Sequence, residues 1–415
     1  MANVLLLSLV FPPDNVSTGH LMGELARDLR DLGHRITVIT TTPHYNRDPV
    51  AEQRQPLQPI WGGLLYRSEH HGVTVFHAPM PAKARSRVLR VLSWLWFHLI
   101  SVLVGATAVG KVDVILTPSP PLTMGLASWA LGRLRHAPFV YSVLELHPDI
   151  IISLGLVKQP QIIRLLYALE RFVYARAAHL TVIAPAMQRR MLEKGVPASK
   201  VTLVPNFVDT DATLAVPRPN PFSTAHGLDD VFVVSYAGNV GPAQGLEPLL
   251  DAAEQLRDVV SVRIVIAGGG ILWDDLAARI RSERLDNVLL LPHQPFETVP
   301  LIYGASDLCV VAQSATTTSD AVPSKVYRIM GASLPVLALT VPESDLAALV
   351  EDAQCGAVVP QEGTAIATAV RTAAGDRDRW RDRGTAGRRY AEAHYSRRAI
   401  TAEYARLIEQ ARSGY

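Results

Sequence analysis

Short apolar, β-branched runs alternate along the chain with stretches whose apolar residues recur three and four positions apart, a pattern that predicts parallel strands joined by helices. Val4 to Val10 reads as a buried strand, followed by a polar loop through Thr18, Gly19 and His20. A helix with Leu21, Leu25, Leu29 and Leu32 on one face comes next, closed by Gly33 before a second strand at Ile36 to Ile39. Asp113 to Leu116, Phe139 to Leu144, Leu180 to Ile183 and Val201 to Val204 continue the sheet, with helices opening near Pro121, Pro160 and Pro185. The segment from Pro205 to Gly227 is polar, rich in proline and without periodicity, and reads as a crossing between domains. The alternation restarts at Val231 and runs through Val262 to Ala267, Val288 to Leu291, Leu308 to Ala312 and Pro335 to Leu339. Two doubly wound α/β domains facing a cleft are therefore expected. The helical tail from Arg377 to Arg412 offers Trp380, Tyr390, Tyr395, Tyr404 and Leu407 to pack back across the domain junction.

One segment departs from this rhythm. Lys83, Arg85, Arg87 and Arg90 precede the apolar run VLSWLWFHLISVLVGATAVG, which is long enough to cross a bilayer. The strand pattern resumes at once at Asp113, which argues against spanning. Two readings remain open: a helix buried between sheet and neighbours, or a helix lying in a membrane surface with Trp94 and Trp96 at headgroup level and the cations on anionic lipid.

Composition narrows the partners. The 415 residues are 48% apolar, ample for two cores, and 40 basic against 38 acidic residues leave a net charge of +2, which carries no nucleic-acid footprint. A pI near 8.5 and mean hydropathy of +0.16 are compatible with an anionic membrane surface. Cys309 and Cys355 have neither metal-ligand nor disulfide-framework spacing and read as structural thiols of a reducing compartment. The start, MANVLLLSLVFPPD, lacks a basic leader, so a cytoplasmic location is expected.

Candidate chemistry centres on two loops. In FVVSYAGNVGPAQGLEPLLDAAEQL a strand runs through Gly238, Asn239, Gly241, Gln244 and Gly245 into a helix, whose first N–H groups suit a phosphate or diphosphate. The same glycines also suit a plain packing turn. In TTTSDAVPSKVYRIMG, Pro323 and Ser324 open a helix with Lys325 in its first turn, where a cation is unfavourable unless it meets an anion. Both loops are expected at the carboxyl edge of one sheet. Gly268, Gly269 and Gly270 either bring backbone close to a ligand or simply turn the chain. The loop after Val4 to Val10, whose only glycine is Gly19, lacks G-x-G-x-x-G, so a dinucleotide site there is poorly supported. Neither a G-x-S-x-G motif nor a histidine pair at ligand spacing is present beyond the adjacent His70 and His71, and Asp209-Thr210-Asp211 reads as a chance acid-x-acid string.

Taken in order, FPPD with TGH and GHRITVIT, PHY, TPSPP, LELHPD, VPNFVD, YAGNVGPAQGLE, VPSKVYRIMGASLPVL and HYS resemble the family 4 retaining glycosyltransferases, in particular the branch that builds lipid-linked O-antigen and capsule sugars. The resemblance covers almost the whole chain. It implies the GT-B fold: an acceptor-side Rossmann-like domain over residues 1–207 with the apolar helix near 88–110, a nucleotide-sugar domain over 208–394, and a C-terminal helix, 395–415, crossing back. It further implies hexosyl or N-acetylhexosaminyl transfer from a nucleoside-diphosphate donor, of which UDP is the expected one, to a polyprenyl-diphosphate-linked saccharide, at the inner face of the membrane and with no cofactor or metal.

Carried over by position, Gly238, Gly241 and Gly245 look like the diphosphate turn, Lys325 like the phosphate cation and Asp320 like the acid that holds the donor sugar's hydroxyls. Gly269, Pro323 and Ser324 fall in the same donor loops, and Gly19 and His20 on the acceptor side. Glu145 falls where relatives face the anomeric carbon with a histidine or aspartate. Two positions depart from the family pattern. Arg328 stands where a glutamate would accept from the ribose hydroxyls, which an arginine cannot do, and Asn239 and Gln244 replace a basic pair. Those departures keep two other readings open, a catalytically impaired glycan- or nucleotide-binding partner of an assembly complex and a sugar-nucleotide epimerase on the same fold.

Overall fold

The computed structural model describes every residue except 46, 82–86, 154, 213, 315–321 and 415, and only the backbone of 87–91 and 296. The chain divides into two units, Met1–Pro205 with Ile400–Tyr415, and Asn206–Ala399.

Nine strands build the sheet of the first unit: β1 (Asn3–Leu7), β2 (Arg35–Thr41), β3 (Gln58–Ile60), β4 (Leu65–His70), β5 (Val73–Ala78), β6 (Val114–Pro118), β7 (Phe139–Val143), β8 (His179–Val182) and β9 (Val201–Leu203). Their order is β3-β4-β5-β2-β1-β6-β7-β8-β9. The central strands are parallel and apolar throughout because helices cover both faces. The edge differs from the all-parallel expectation, since β4 runs antiparallel to both β3 and β5. The helix expected near Pro121 starts at Met124.

Six parallel strands build the second sheet: β10 (Phe232–Asn239), β11 (Val262–Gly269), β12 (Val288–Leu291), β13 (Leu308–Ala312), β14 (Val336–Leu339) and β15 (Gly356–Val359), in the order β12-β11-β10-β13-β14-β15. Alternate residues of β10 serve opposite cores: Phe232, Val234 and Tyr236 join the large cluster with Leu249, Leu250 and Ile366, while Val233 joins Phe222, Leu228 and Ile302 on the other face. The strand order reverses between β10 and β13. That is the topological switch point, where open α/β sheets place ligands beyond the carboxyl ends of their strands.

The stretch read as a crossing segment belongs, from Asn206 on, to the second unit. It contains a short helix, Pro221–Ala225, held by an Asn220–Ser223 capping box. The tail forms two helices. Trp380 of Arg377–His394 lies in the core of the second unit, whereas in Arg397–Ser413 the chain rejoins the first unit at Ile400. There Leu407 and Ile408 are fully buried and the Tyr404 hydroxyl meets Ser142 Oγ of β7 at 2.9 Å.

The apolar helix spans Arg87–Thr107. Phe97, Ile100 and Val104 are buried, and at Gly105 an added Cβ would come within 2.5 Å of Leu131, so a glycine lets the helix at Met124–Arg135 approach closely. The opposite stripe, Leu92, Leu95, Trp96, Leu99 and Leu103, is exposed, so the helix is not buried all round. Among the described residues no helix is long and apolar enough to cross a membrane.

Candidate functional site

The candidate donor site begins where β10 ends. Gly238 has φ 145° and Gly245 φ 56°, both in the region that disfavours a side chain, so the sequence can make this turn only with glycine at these places. Gly268 serves it from β11 and Gly270 from just beyond that strand: an added Cβ would lie 1.8 Å from Gly238 O at the first and 2.1 Å from Val240 O at the second. The glycine triplet thus lets backbone pack on backbone beneath the turn. Gly269 is the least crowded of the three, with His293 Cβ as its nearest neighbour at 3.9 Å. The helix after the turn starts at Glu247, two residues later than the sequence suggests, with no side-chain cap on its first N–H groups.

Amides close the turn. Asn239 Nδ2 donates to Gln244 Oε1 (3.0 Å), the Ser314 N–H donates to Ala243 O (2.9 Å), and Gln361 Nε2 donates to the carbonyls of Gln244 (2.7 Å) and Gly245 (3.2 Å). Gly241 adds a close approach to Asn239, its would-be Cβ lying 3.1 Å from Nδ2.

Lys325 opens the helix Lys325–Gly331, with Ser324 at its N-cap and Pro323 before it. Its stem is partly open, but its amine is shut off from solvent and has no hydrogen-bond partner among the described residues. Nζ lies 3.8 Å from the centroid of the Tyr236 ring, and a Cβ on Gly238 would be only 2.7 Å from it. Tyr236 is itself buried and its hydroxyl donates to Asn239 O (2.5 Å), so ring and turn are held together. Burial pushes the Lys325 amine down to about 7. A buried amine without a partner is a costly arrangement, and an anion at the turn would relieve it. Arg328 follows one turn later and is exposed. Asp320 lies outside the described residues.

Two further loops carry the residues expected on the acceptor side, both at carboxyl ends of first-unit strands. After β1, buried Asp14 accepts from the N–H groups of His44 and Tyr45, both at 3.0 Å, tying the loop after β2 to that after β1. Gly19 lies in the first turn of the helix Ser17–Asp31, its would-be Cβ 3.1 Å from Asp14 O, and His20 beside it bonds Asn15 Oδ1 through Nε2 at 2.7 Å. After β7, exposed Glu145 meets His147 Nε2 at 3.1 Å. Four residues on, Asp149 is clamped by Lys194, Arg190 and the Tyr167 hydroxyl. Burial raises the Asp149 carboxyl, and the Lys194 and Tyr167 hydrogen bonds overcome it to leave the group below its ordinary value.

Other candidates resolve structurally. Asp209 caps the N–H groups of Asp211 and Ala212 and pairs with Arg397, which accounts for the acid-x-acid string. Cys309 and Cys355 are buried thiols pushed up to about 12 by burial. Among the described residues no group of three or more His, Cys, Asp or Glu could hold a metal ion. Tyr236 and Gln361 escaped the sequence reading as site residues: Tyr236 opens the YAGNVGPAQGLE motif but reads only as the end of a strand, and Gln361 lies more than a hundred residues from the turn it touches.

Two family models match the chain in tandem, a glycosyl transferase 4-like domain over residues 19–206 and glycosyl transferases group 1 over residues 221–390. The architecture is that of solved glycosyltransferases: Anabaena HepE, determined in complex with UDP, superposes with a TM-score of 0.73 at 17% identity, covering 98% of this chain and 100% of that one, a likeness that establishes the fold. The molecule is thus a GT-B glycosyltransferase. More specifically, the chain belongs to the family 4 glycosyltransferases. Its relatives include a protein of Escherichia coli strain K12 named for colanic acid biosynthesis glycosyl transfer, WcaI, 26% identical over 336 residues, 79% of this chain and 80% of that one. Pseudomonas aeruginosa WbjE, named as a glycosyltransferase, is 26% identical over 250 residues, 59% and 61% of the two chains.

Proposed function

We propose that the protein transfers a sugar, with retention of anomeric configuration, from a UDP-sugar to a polyprenyl-diphosphate-linked saccharide at the inner membrane surface. The observation that carries the donor half is the Lys325 amine, shut off from solvent without a hydrogen-bond partner among the described residues and pressed against Gly238 at the sheet's switch point. A diphosphate there supplies the missing counter-charge. As the glycosidic bond breaks, negative charge grows on the departing diphosphate, and Lys325 with the N–H groups at the start of the Glu247–Gln255 helix stabilises it without a metal. Asp320 holds the donor sugar's hydroxyls, and Glu145 receives or orients the acceptor hydroxyl. UDP is favoured because HepE, of the same fold, was solved with UDP and with UDP-glucose.

The lipid-linked acceptor is supported by the exposed stripe Leu92, Leu95, Trp96, Leu99 and Leu103. Five large apolar side chains on one helix face suit burial in the headgroup region. Incubation with UDP-sugars and polyprenyl-diphosphate saccharides tests the whole reading. Lys325→Ala is expected to lower turnover roughly 10²–10³-fold without lowering the melting temperature of the free protein. Turnover near that of the wild type would sink the assignment.

A further inference from the structure

Gln361 stands outside every motif of the donor loops, yet its side chain is aimed into the glycine turn. It follows β15 by two residues, and its place is set by a close approach just beyond it. At Gly363 an added Cβ would lie 2.4 Å from Asp251 Cβ, so a glycine there lets the helix Gly363–Gly375 begin against the helix Glu247–Gln255. This brings the Gln361 amide to two successive carbonyls, Gln244 O at 2.7 Å and Gly245 O at 3.2 Å, both accepting from Nε2. A trans peptide directs its N–H opposite to its C=O. Holding these two carbonyls therefore turns the N–H groups that follow them away from Gln361: that of Gly245 donates to Gly241 O (3.4 Å), closing the turn, and that of Leu246 faces the far side. Gly245 has φ 56°, a backbone state that a glycine occupies with little resistance to change, so a fixed orientation requires an external anchor. Gln361 is that anchor.

We infer that Gln361 is a positioning residue of the donor site: it holds the turn closed by the Gly245–Gly241 hydrogen bond and presets the Leu246 N–H group for a diphosphate, in a turn where Asn239 and Gln244 supply amides rather than cations. The inference rests on the donor reading above. It makes binding at this turn depend on preorganised dipoles, with Lys325 as the cation.

The side chain chemistry supplies the test. Alanine removes the two donated hydrogen bonds. Glutamate keeps the shape but, when ionised, has no proton to donate and faces two carbonyl oxygens; when protonated it regains one donor. UDP dissociation constants are measured by titration calorimetry for the wild type, Gln361→Ala and Gln361→Glu from pH 8 to pH 5. Gln361→Ala is expected to weaken UDP binding about tenfold with the melting temperature of the free protein little changed. Gln361→Glu should weaken it more at pH 8, and the ratio of its dissociation constant to that of the wild type should shrink as pH falls toward about 5. A merely structural glutamine gives no such recovery. Wild-type affinity in both variants, or a glutamate penalty that does not change with pH, overturns the inference while leaving the donor reading intact. Failure of the wild type itself to bind UDP removes the donor reading, and the inference falls with it. Should Gln361→Ala fail to fold, the glutamate variant's pH ratio alone decides.

Discussion

Lys325 is the residue on which the donor reading turns, and its protonation follows from its surroundings. The amine is lowered to about 7 by burial in the free protein, below the ordinary lysine value of about 10.4. Between those values the unfolded chain binds more protons than the folded one, so this group's contribution to stability rises with pH across that window and is flat below it. A diphosphate beside Nζ moves the amine back up. Donor binding at about pH 8, where the terminal phosphate of UDP is already ionised, should then draw a proton from solution. Calorimetry in two buffers of different ionisation enthalpy checks this: net uptake in the wild type, lost in Lys325→Met, is expected, and equal proton counts in both would contradict it. The cation itself was legible in the sequence, since a lysine in the first turn of a helix conflicts with the dipole. Its lid-like contact with Gly238 and the Tyr236 ring was not, because it depends on distances between segments some ninety residues apart.

Among the elements, the helix Arg87–Thr107 shows where periodicity stops short. Its apolar residues run around the whole circumference, so the sequence could not tell a helix packed on every side from one with an open face. The close approach at Gly105 settles which side packs, and leaves Leu95, Trp96 and Leu99 exposed. With Leu95 and Leu99 both replaced by glutamate, we expect loss of flotation with anionic vesicles and an unchanged melting temperature, since neither side chain is in the core. Wild-type protein that stays with the soluble fraction in the presence of such vesicles would remove the membrane step. The central parallel strands were legible because they are buried on both faces over most of their length and therefore predominantly apolar. The β3 to β5 edge was not, because its short strands mix exposed and buried positions: in β4, Leu65 and Ser68 are buried while Arg67 and Glu69 are exposed.

For the whole molecule, tandem doubly wound units could be read from the restart of the alternation at Val231, and the two sheets, parallel apart from the β3 to β5 edge, agree with it. The polar stretch from Pro205 holds the boundary between the units at its start, and the order of its remainder was not legible because it comes from capping and a few buried contacts at Phe222 and Leu228, not from a repeating pattern. The chain's return to the first unit at Ile400 has an energetic consequence. Leu407 is fully buried there, and Leu407→Ala should cost about 2–5 kcal/mol of stability in denaturant unfolding. A change below about 1 kcal/mol, within the usual range for a surface substitution, would show that the last helix contributes little to that unit. The central claim, a donor site that holds a nucleoside diphosphate without a metal, is tested most directly by melting the protein with UDP, GDP, ADP or TDP in the presence of EDTA. At about 100 times its dissociation constant a ligand stabilises the folded state by roughly 2.7 kcal/mol, enough for a clear shift. The account predicts selective stabilisation by UDP that EDTA leaves unchanged. No shift with any diphosphate, or a shift that appears only with a divalent cation, would contradict it.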